Sequence, residues 1–205
     1  MSRGTRGFTL IEMLVVVAII LILAAMLFPV YEVVNKRAET THCLSSIRNL
    51  AGAVGLYEQD YDGFLVPART SVGCPGVFGT SWNVTLLPYH NNQELYLCIS
   101  DQNPTFASGT TAYVCSYGIN LDLTMIGGYN GASLTENELT DPTQSILFFD
   151  MLGSARTLGS SYEANGLTLL EARHNTGCNF SFADGHARWY RPNDTTANNG
   201  AMWKP

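Results

Sequence analysis

The most constraining feature of the chain is an apolar run from Phe8 to Phe28, which follows a short basic leader. Only Thr9 and Glu12 interrupt this run. A helix of this length, at ~1.5 Å per residue, spans about 32 Å and can cross the hydrocarbon core of a bilayer. A carboxylate inside such a span costs about 2.5–3.5 kcal/mol or more, so Glu12 is expected to have a specific role.

Two ordinary interpretations compete for this segment. A secretory signal peptide also has a basic start and a short apolar stretch, but it avoids a carboxylate there, and no good small-x-small cleavage site occurs before Pro29. A plain signal anchor agrees with the hydropathy, but it gives no reason for the order Gly-Phe-Thr-Leu-Ile-Glu at residues 7–12. That hexapeptide therefore needs its own explanation.

The hexapeptide closely resembles the processing site of type IV prepilins and type II secretion pseudopilins. The resemblance implies that a dedicated membrane peptidase cuts between Gly7 and Phe8 and methylates the new N-terminus. Phe8 would then be the first mature residue and Glu12 the fifth, one helical turn away. In a filament of stacked helices, Glu12 of one subunit can neutralise the Phe8 ammonium of its neighbour and thereby set the axial register of assembly.

The apolar run predicts one long N-terminal helix that continues beyond the membrane. Pro29 lies where type IV pilins commonly carry a helix-kinking proline, because an interior proline removes a backbone hydrogen bond and clashes with the preceding turn. An apolar stripe then recurs every three to four residues, which indicates a helix face that docks on a globular head. Asp62-Gly63 is expected to end the helix. The members of the stripe are Leu44, Ile47, Leu50 or Ala51, Val54, Tyr57 or Glu58, and Tyr61.

These patterns divide the chain of 205 residues into a membrane helix and one domain. In residues 63–110, which are rich in Gly, Pro, Ser and Thr, we expect loops with brief strands or helical turns at Trp82–Leu87 and Leu95–Ile99. The predicted segments are a basic leader at 1–7, a transmembrane and assembly helix at 8–30, an amphipathic helix half at 31–62, and a β-rich globular head at 63–205.

The charge of the chain argues against nucleic acid as its main partner. The sequence has 11 basic and 17 acidic residues, and loss of a leader with Arg3 and Arg6 would leave a net charge of −8. Phosphate binding needs clustered Lys and Arg, and Lys36-Arg37 is the only adjacent basic pair.

The five cysteines fall in the part of the chain that would be translocated into an oxidising space, where disulfides are expected with one thiol left over. No C-x-x-C motif occurs, so a zinc ribbon or a thioredoxin-like site is not expected. Spacing alone does not decide the pairing. Similar pilin-like proteins often carry one cysteine at the place of Cys43 and another in a Leu-Tyr-x-Cys-Pro segment, which implies a Cys43–Cys98 disulfide, although Ile99 stands here in place of the proline.

The head contains one buried strand and one clear hairpin in its sequence pattern. Residues 146–149 form a compact apolar run that ends at Asp150. Two alternating segments, 180–183 and 186–190, flank Asp184-Gly185, which predicts a two-residue type I′ turn. The turn at 175–177 predicts a third strand that ends at His174. The polar tail at 192–205 is expected to fray.

The C-terminal part shows a second resemblance. His174, nine further residues and then Asp184-Gly185 match the His-x9-Asp-Gly signature of a prepilin-associated C-terminal domain. A metal site at His174, Asp184 and His186 is conceivable. However, the strand between the two turns spans roughly 20 Å and separates His174 from Asp184, and turn chemistry explains Asp-Gly. We therefore assign a structural role to His174, Asp184 and Gly185, with no metal.

No enzymatic activity is expected. The four histidines come without a Gly-x-Ser-x-Gly elbow, so a Ser/His/Asp hydrolase is disfavoured. Major secretion pseudopilins can bind calcium near the C-terminus, and the Asp and Asn residues at 120–141 and 193–199 are compatible with it, but no EF-hand-like run occurs. We assign no cofactor.

The resemblance implies an α+β, pilin-like fold in which a long N-terminal helix packs on an antiparallel sheet. It implies a structural subunit of a type IV pilus-like filament or of a type II secretion pseudopilus. Its partners would be copies of itself or related pilins, the prepilin peptidase, and an inner-membrane assembly platform with its ATPase. The head would lie in the periplasm before assembly, and the assembled filament would be extracellular or would span the periplasm. The alternative is a membrane-anchored binding or enzymatic head that shares only the export signal.

Overall fold

The structure is a computed structural model and describes residues 7–68, 81–102, 115–124, 133–152, 170–196 and 201–205. The chain divides into two units, Met1–Ala38 and Glu39–Pro205. The four segment boundaries expected from the sequence stay predictions, since the leader lies almost wholly outside the described residues and helix α1 runs across both units.

Helix α1 spans Leu10–Asp60 and contains Pro29. Every large apolar side chain from Phe8 to Val34 is exposed. Among the described residues, α1 is the one helix that is long and apolar enough to cross a membrane. Its first part therefore has the composition of a membrane anchor, as the apolar run predicts.

The second part of α1 buries one face in the head. The buried face differs at its ends from the predicted stripe, because Leu44 is only half-buried and Tyr61, past the end of the helix, is 51% exposed. The helix ends at Asp60, and the turn after it contains Asp62 and Gly63, which both have positive φ. The Gly63 N–H donates to the Glu58 carbonyl at 2.8 Å. The buried residues of α1 are Cys43, Ser46, Ile47, Leu50, Ala51, Ala53, Val54 and Tyr57.

The head contains a four-stranded antiparallel sheet. In sheet order its strands are β1 Tyr117–Ile119, β2 Ile146–Asp150, β3 Cys178–Phe182 and β4 Ala187–Tyr190. The predicted α+β class, with a long helix and an antiparallel sheet, is thereby confirmed. The apolar run at 146–149 is the buried strand β2, and the strand pair at the C-terminus is β3–β4.

The sheet has a core on each face, because successive side chains of a strand point to opposite sides. Phe148 belongs to the cluster that contains the buried side chains of α1, whereas Phe149 belongs to a second cluster with Phe180 and Trp203. The tail was expected to fray, and this is wrong for Trp203, which is 2% exposed and donates its indole N–H to Thr195 Oγ1 at 3.2 Å. Trp203, near the end of a polar tail, therefore packs on the second face of the sheet.

Short helices lie between α1 and β1 and between β1 and β2. They are α2 Trp82–Thr85, α3 Leu87–His90, the 3-10 helix Gln93–Tyr96 and α4 Leu121–Thr124. The expected helical turns in this region are present, and within the described residues from Ser81 to Gln102 no named strand occurs. Further 3-10 turns lie at Glu136–Glu138, Pro192–Thr196 and Ala201–Trp203.

The C-terminal region has turns at both predicted places, but the type of the second turn and the strand before the first differ from expectation. The loop of the β3–β4 hairpin has three residues, because Phe182 N–H donates to the His186 carbonyl, and only Gly185 has positive φ (87°). A single positive φ rules out a type I′ turn at Asp184-Gly185. A type I′ turn lies instead at Asn175 and Thr176, with φ of 50° and 64°. The segment ending at His174 forms an isolated bridge to Gly177 rather than a third strand.

Candidate functional site

The N-terminal motif forms a capping box at the start of α1. The Thr9 N–H and the Thr9 hydroxyl both donate to Glu12 Oε2, at 2.8 and 2.7 Å, and the Glu12 N–H donates to Thr9 Oγ1 at 3.4 Å. This reciprocal arrangement satisfies backbone donors that the first helical turn leaves without partners. The order Thr-x-x-Glu before an apolar run is the known sequence signature of a capping box, which was not predicted here.

The residues around the predicted cleavage point are accessible. Gly7 is exposed, and the side chain of Phe8 is 80% exposed. Glu12 is also exposed, so its carboxylate can be reached from outside the chain while it caps α1.

A second group of functional side chains is buried in the head. Cys43 of α1 and Cys98 of the segment after the 3-10 helix form a disulfide, with Cα atoms 5.2 Å apart. His174 lies beside it, with Nε2 at 3.3 Å from Cys98 Sγ and 3.4 Å from Asp150 Oδ2. None of these four residues is more than 3% exposed.

Neighbouring polar groups hold this cluster in place. The Asn179 N–H donates to Asp150 Oδ2 at 2.6 Å, and the Trp189 indole N–H donates to the His174 carbonyl at 2.7 Å. Within the described part of the chain, Asp150 Oδ1 and His174 Nδ1 have no hydrogen-bond partner. A buried polar atom without a hydrogen-bond partner costs free energy.

Arg173 brings positive charge next to the cluster. Its guanidinium lies 3.0 Å from Asp101 Oδ2 and 2.5 Å from Glu171 Oε2, and it donates to the Met151 carbonyl at 2.6 Å. The side chains of Arg173 and Asp101 are 4% and 2% exposed. A buried ion pair of this kind offsets part of the desolvation cost of both charges.

Burial sets the protonation of the cluster. It raises the pKa of Asp150 to about 7, against the opposing attraction of Arg173. It lowers the pKa of His174 to about 4, and the charge of Arg173 acts in the same direction. Between these values the neutral forms of both groups are favoured, because a low-dielectric interior disfavours charge.

The Asp184 side chain lies away from this cluster, in the β3–β4 loop. Asp184 Oδ1 accepts from the His186 N–H at 3.1 Å and lies 2.6 Å from His186 Nδ1. The His186 ring stacks on Phe182 with centroids 4.2 Å apart. Strand β3 runs between this pair and His174, so the structure does not bring together the three side chains of the conceivable metal site.

Comparisons with known proteins agree with the N-terminal geometry. The family described as "Prokaryotic N-terminal methylation motif" matches residues 2–28. The chain is also 35% identical over 83 residues to the type IV wide pilus major component PilA4 of Thermus thermophilus. This match covers 40% of the chain and 63% of PilA4, and no solved structure matches the chain.

The chain therefore carries an N-terminal methylation motif and is similar to a type IV pilus component over part of its length.

The sequence pointed to the exposed motif more readily than to the buried cluster. Gly7, Phe8 and Glu12 are consecutive or nearly so and carry a recognisable signature. Asp150 and Arg173 were missed as functional residues. The available signal was a carboxylate at the end of a wholly apolar strand, since a buried charge normally has a partner.

The cluster also contains the residues best placed to bind a metal. Among the described residues, one ligand atom each from Cys43, Cys98 and His174 lies within 4.8 Å of the other two. The donor set of two sulfurs and an imidazole suits zinc-like ions, provided that the sulfurs are thiolates.

Proposed function

We propose that this chain is a structural subunit of a type IV pilus-like filament. The observation that carries the proposal is the methylation motif at residues 2–28, which leads directly into a helix able to cross a membrane. The similarity to PilA4, a pilus component, supports the same function.

In this proposal the membrane peptidase removes residues 1–7 and methylates the amino group of Phe8. Before assembly, the subunits are anchored in the inner membrane with their heads in the periplasm. An assembly platform with its ATPase then stacks their N-terminal helices. Because Phe8 and Glu12 are both exposed, each can meet a group of a neighbouring subunit. The subunit itself has no enzymatic role in this process.

The experiment is mass spectrometry of the N-terminal peptide of the protein isolated from its native cell. The expected peptide starts at Phe8 and carries one additional methyl group. An intact Met1 end would contradict the proposal, and so would a cut near Ala25, which would indicate a secretory signal peptide. Substitution Gly7→Val, at the residue before the cut, should block processing.

Imaging distinguishes a surface pilus from a secretion pseudopilus. We expect filaments at the cell surface that contain this chain, as labelled through an antibody against the head. A processed chain that stays in the envelope and is needed for protein secretion would instead identify a pseudopilus subunit. A processed chain that is neither part of surface filaments nor needed for secretion would favour the alternative, a membrane-anchored binding or enzymatic head.

A further inference from the structure

We propose that the dithiol form of this chain binds a zinc-type divalent cation through Cys43, Cys98 and His174, with Asp150 facing the fourth position. The disulfide form, which the structure shows, has no thiolates to bind it. The same pair of cysteines would thus hold either a metal ion or a disulfide.

The distances in the cluster suit tetrahedral coordination. Zinc binds thiolate sulfur at about 2.3 Å and imidazole nitrogen or carboxylate oxygen at roughly 2.0–2.2 Å, so neighbouring ligand atoms in a tetrahedral site lie roughly 3.4–3.8 Å apart. His174 Nε2 lies 3.3 Å from Cys98 Sγ and 3.4 Å from Asp150 Oδ2. When the disulfide is open, the sulfurs need only separate to a similar distance, which a Cα separation of 5.2 Å permits.

The surroundings suit a structural metal site. The four side chains come from α1, from the segment after the 3-10 helix, from the end of β2 and from the turn before β3, so the chain brings them together only when it folds. All are buried, and two thiolates neutralise the charge of a divalent cation. The remaining charge of Asp150 is opposed by nearby Arg173. The Asn179 N–H fixes the Asp150 carboxylate, as outer hydrogen bonds do in metal sites.

The chemistry connects the two states. The cysteines are thiols when the chain is made, since the cytosol keeps thiols reduced. Two thiols and one Zn²⁺ give a zinc dithiolate and two protons. A disulfide donor R–S–S–R reverses this: the two sulfurs form the Cys43–Cys98 bond, the donor takes up two electrons and two protons to become two R–SH, and Zn²⁺ is released.

The test uses the full chain in detergent with Cys74, Cys115 and Cys178 replaced by serine, so that only Cys43 and Cys98 can supply thiolates. One sample is reduced with a phosphine, which is removed before titration, and one is left oxidised. Co²⁺ is the probe. The reduced chain should bind one Co²⁺, with the visible bands of tetrahedral cobalt and a sulfur-to-cobalt charge-transfer band. Zn²⁺ should displace it, and the oxidised chain should show neither band.

Variants assign the ligands. His174→Ala should remove the tetrahedral spectrum, whereas His186→Ala, which changes an exposed histidine of the same C-terminal region, should keep it. Asp150→Asn should weaken Co²⁺ binding about ten- to hundredfold, on the scale seen for changes next to a metal. Circular dichroism of each variant shows whether it folds.

If His174→Ala fails to fold, the wild-type melting temperature decides. Zn²⁺ should raise it in the reduced chain and leave it unchanged in the oxidised chain, because a ligand stabilises only the state that binds it. Equal cobalt spectra in reduced and oxidised chains would overturn the proposal. A reduced, folded His174→Ala chain that binds Co²⁺ like the wild type would also overturn it, and so would a reduced chain that binds none.

Discussion

We assign two roles to Glu12, one within its own chain and one towards a neighbouring subunit. Within the chain, its carboxylate accepts from the backbone and the hydroxyl of Thr9 and caps α1. In a filament it would also neutralise the ammonium of Phe8 in a neighbouring subunit. Capping needs only an acceptor, which glutamine also supplies, whereas neutralisation needs a negative charge.

This difference separates the two roles. We expect Glu12→Gln to keep the capping box but to reduce filament yield strongly, because no charge remains for the neighbour's ammonium. Filaments are measured by shearing and immunoblot, and Glu32→Gln, which removes a carboxylate from the same helix, is the control. The melting temperature of the head should not change in either variant. If Glu12→Gln assembles normally and Glu12→Ala does not, capping is the role that matters.

Glu58 makes the stability of the head depend on pH. One of its oxygens, Oε1, is buried and has no hydrogen-bond partner among the described residues. Burial raises the pKa of Glu58 to about 7, and the charge of Glu136 adds to the effect. The folded chain therefore binds this proton more tightly than the unfolded chain does. The resulting stability is present below about pH 4.5 and is lost as the pH rises through 7.

We expect Glu58→Gln to remove this loss. The group is partly exposed, so solvent screening limits the difference to about 1 kcal/mol or less. Thermal unfolding at about pH 5 and about pH 8 measures it: the wild type should lose a few degrees between the two, relative to Glu58→Gln. Glu94→Gln changes an exposed carboxylate and is the control: its melting temperature should change with pH as that of the wild type does. A Glu58→Gln variant with the pH response of the wild type would contradict this assignment.

At the scale of elements, the two hairpin turns show how local chemistry overrides a dipeptide signal. Asp-Gly favours a type I′ turn, in which both residues have positive φ. Here the Gly185 N–H donates to the Phe182 carbonyl, and Asp184 uses its side chain to accept from the His186 N–H. These bonds hold a three-residue loop in which glycine alone takes the left-handed conformation, as glycine does most readily.

Gly185 should therefore tolerate asparagine better than valine. Its φ is 87°, and no heavy atom of the described residues, apart from the glycine and its two chain neighbours, lies within 4 Å of the place where a Cβ would stand, so conformational strain is the only expected cost. Gly185→Val should destabilise the chain by about 1–3 kcal/mol. Gly185→Asn should cost less, because asparagine visits this region more often. Melting temperatures of both variants measure the difference, and equal losses would argue against strain as the cause.

At the scale of the whole molecule, what the sequence predicted depended on how far apart the relevant residues lie. Helix α1 and the β3–β4 pair follow from continuous patterns in the sequence, so both could be predicted. The buried cluster joins Cys43, Cys98, Asp150 and His174, which lie in four distant segments. No pattern within a single segment predicts that these four residues come into contact. Trp203 was missed for a related reason, since its partners Phe149 and Phe180 lie in the sheet and not in the tail.

The Cys43–Cys98 disulfide should contribute strongly to the stability of the molecule as a whole. It joins α1 to a segment 55 residues further along the chain, and both cysteines lie in the core. Closing a loop of this length reduces the entropy of the unfolded chain by an amount worth about 4 kcal/mol. Replacing both cysteines by serine should then lower the melting temperature by roughly 10 °C. Cys115→Ser, at a cysteine outside this disulfide, is the control. If the double variant had the same melting temperature as the oxidised wild type, the packing of α1 rather than the disulfide would stabilise the head.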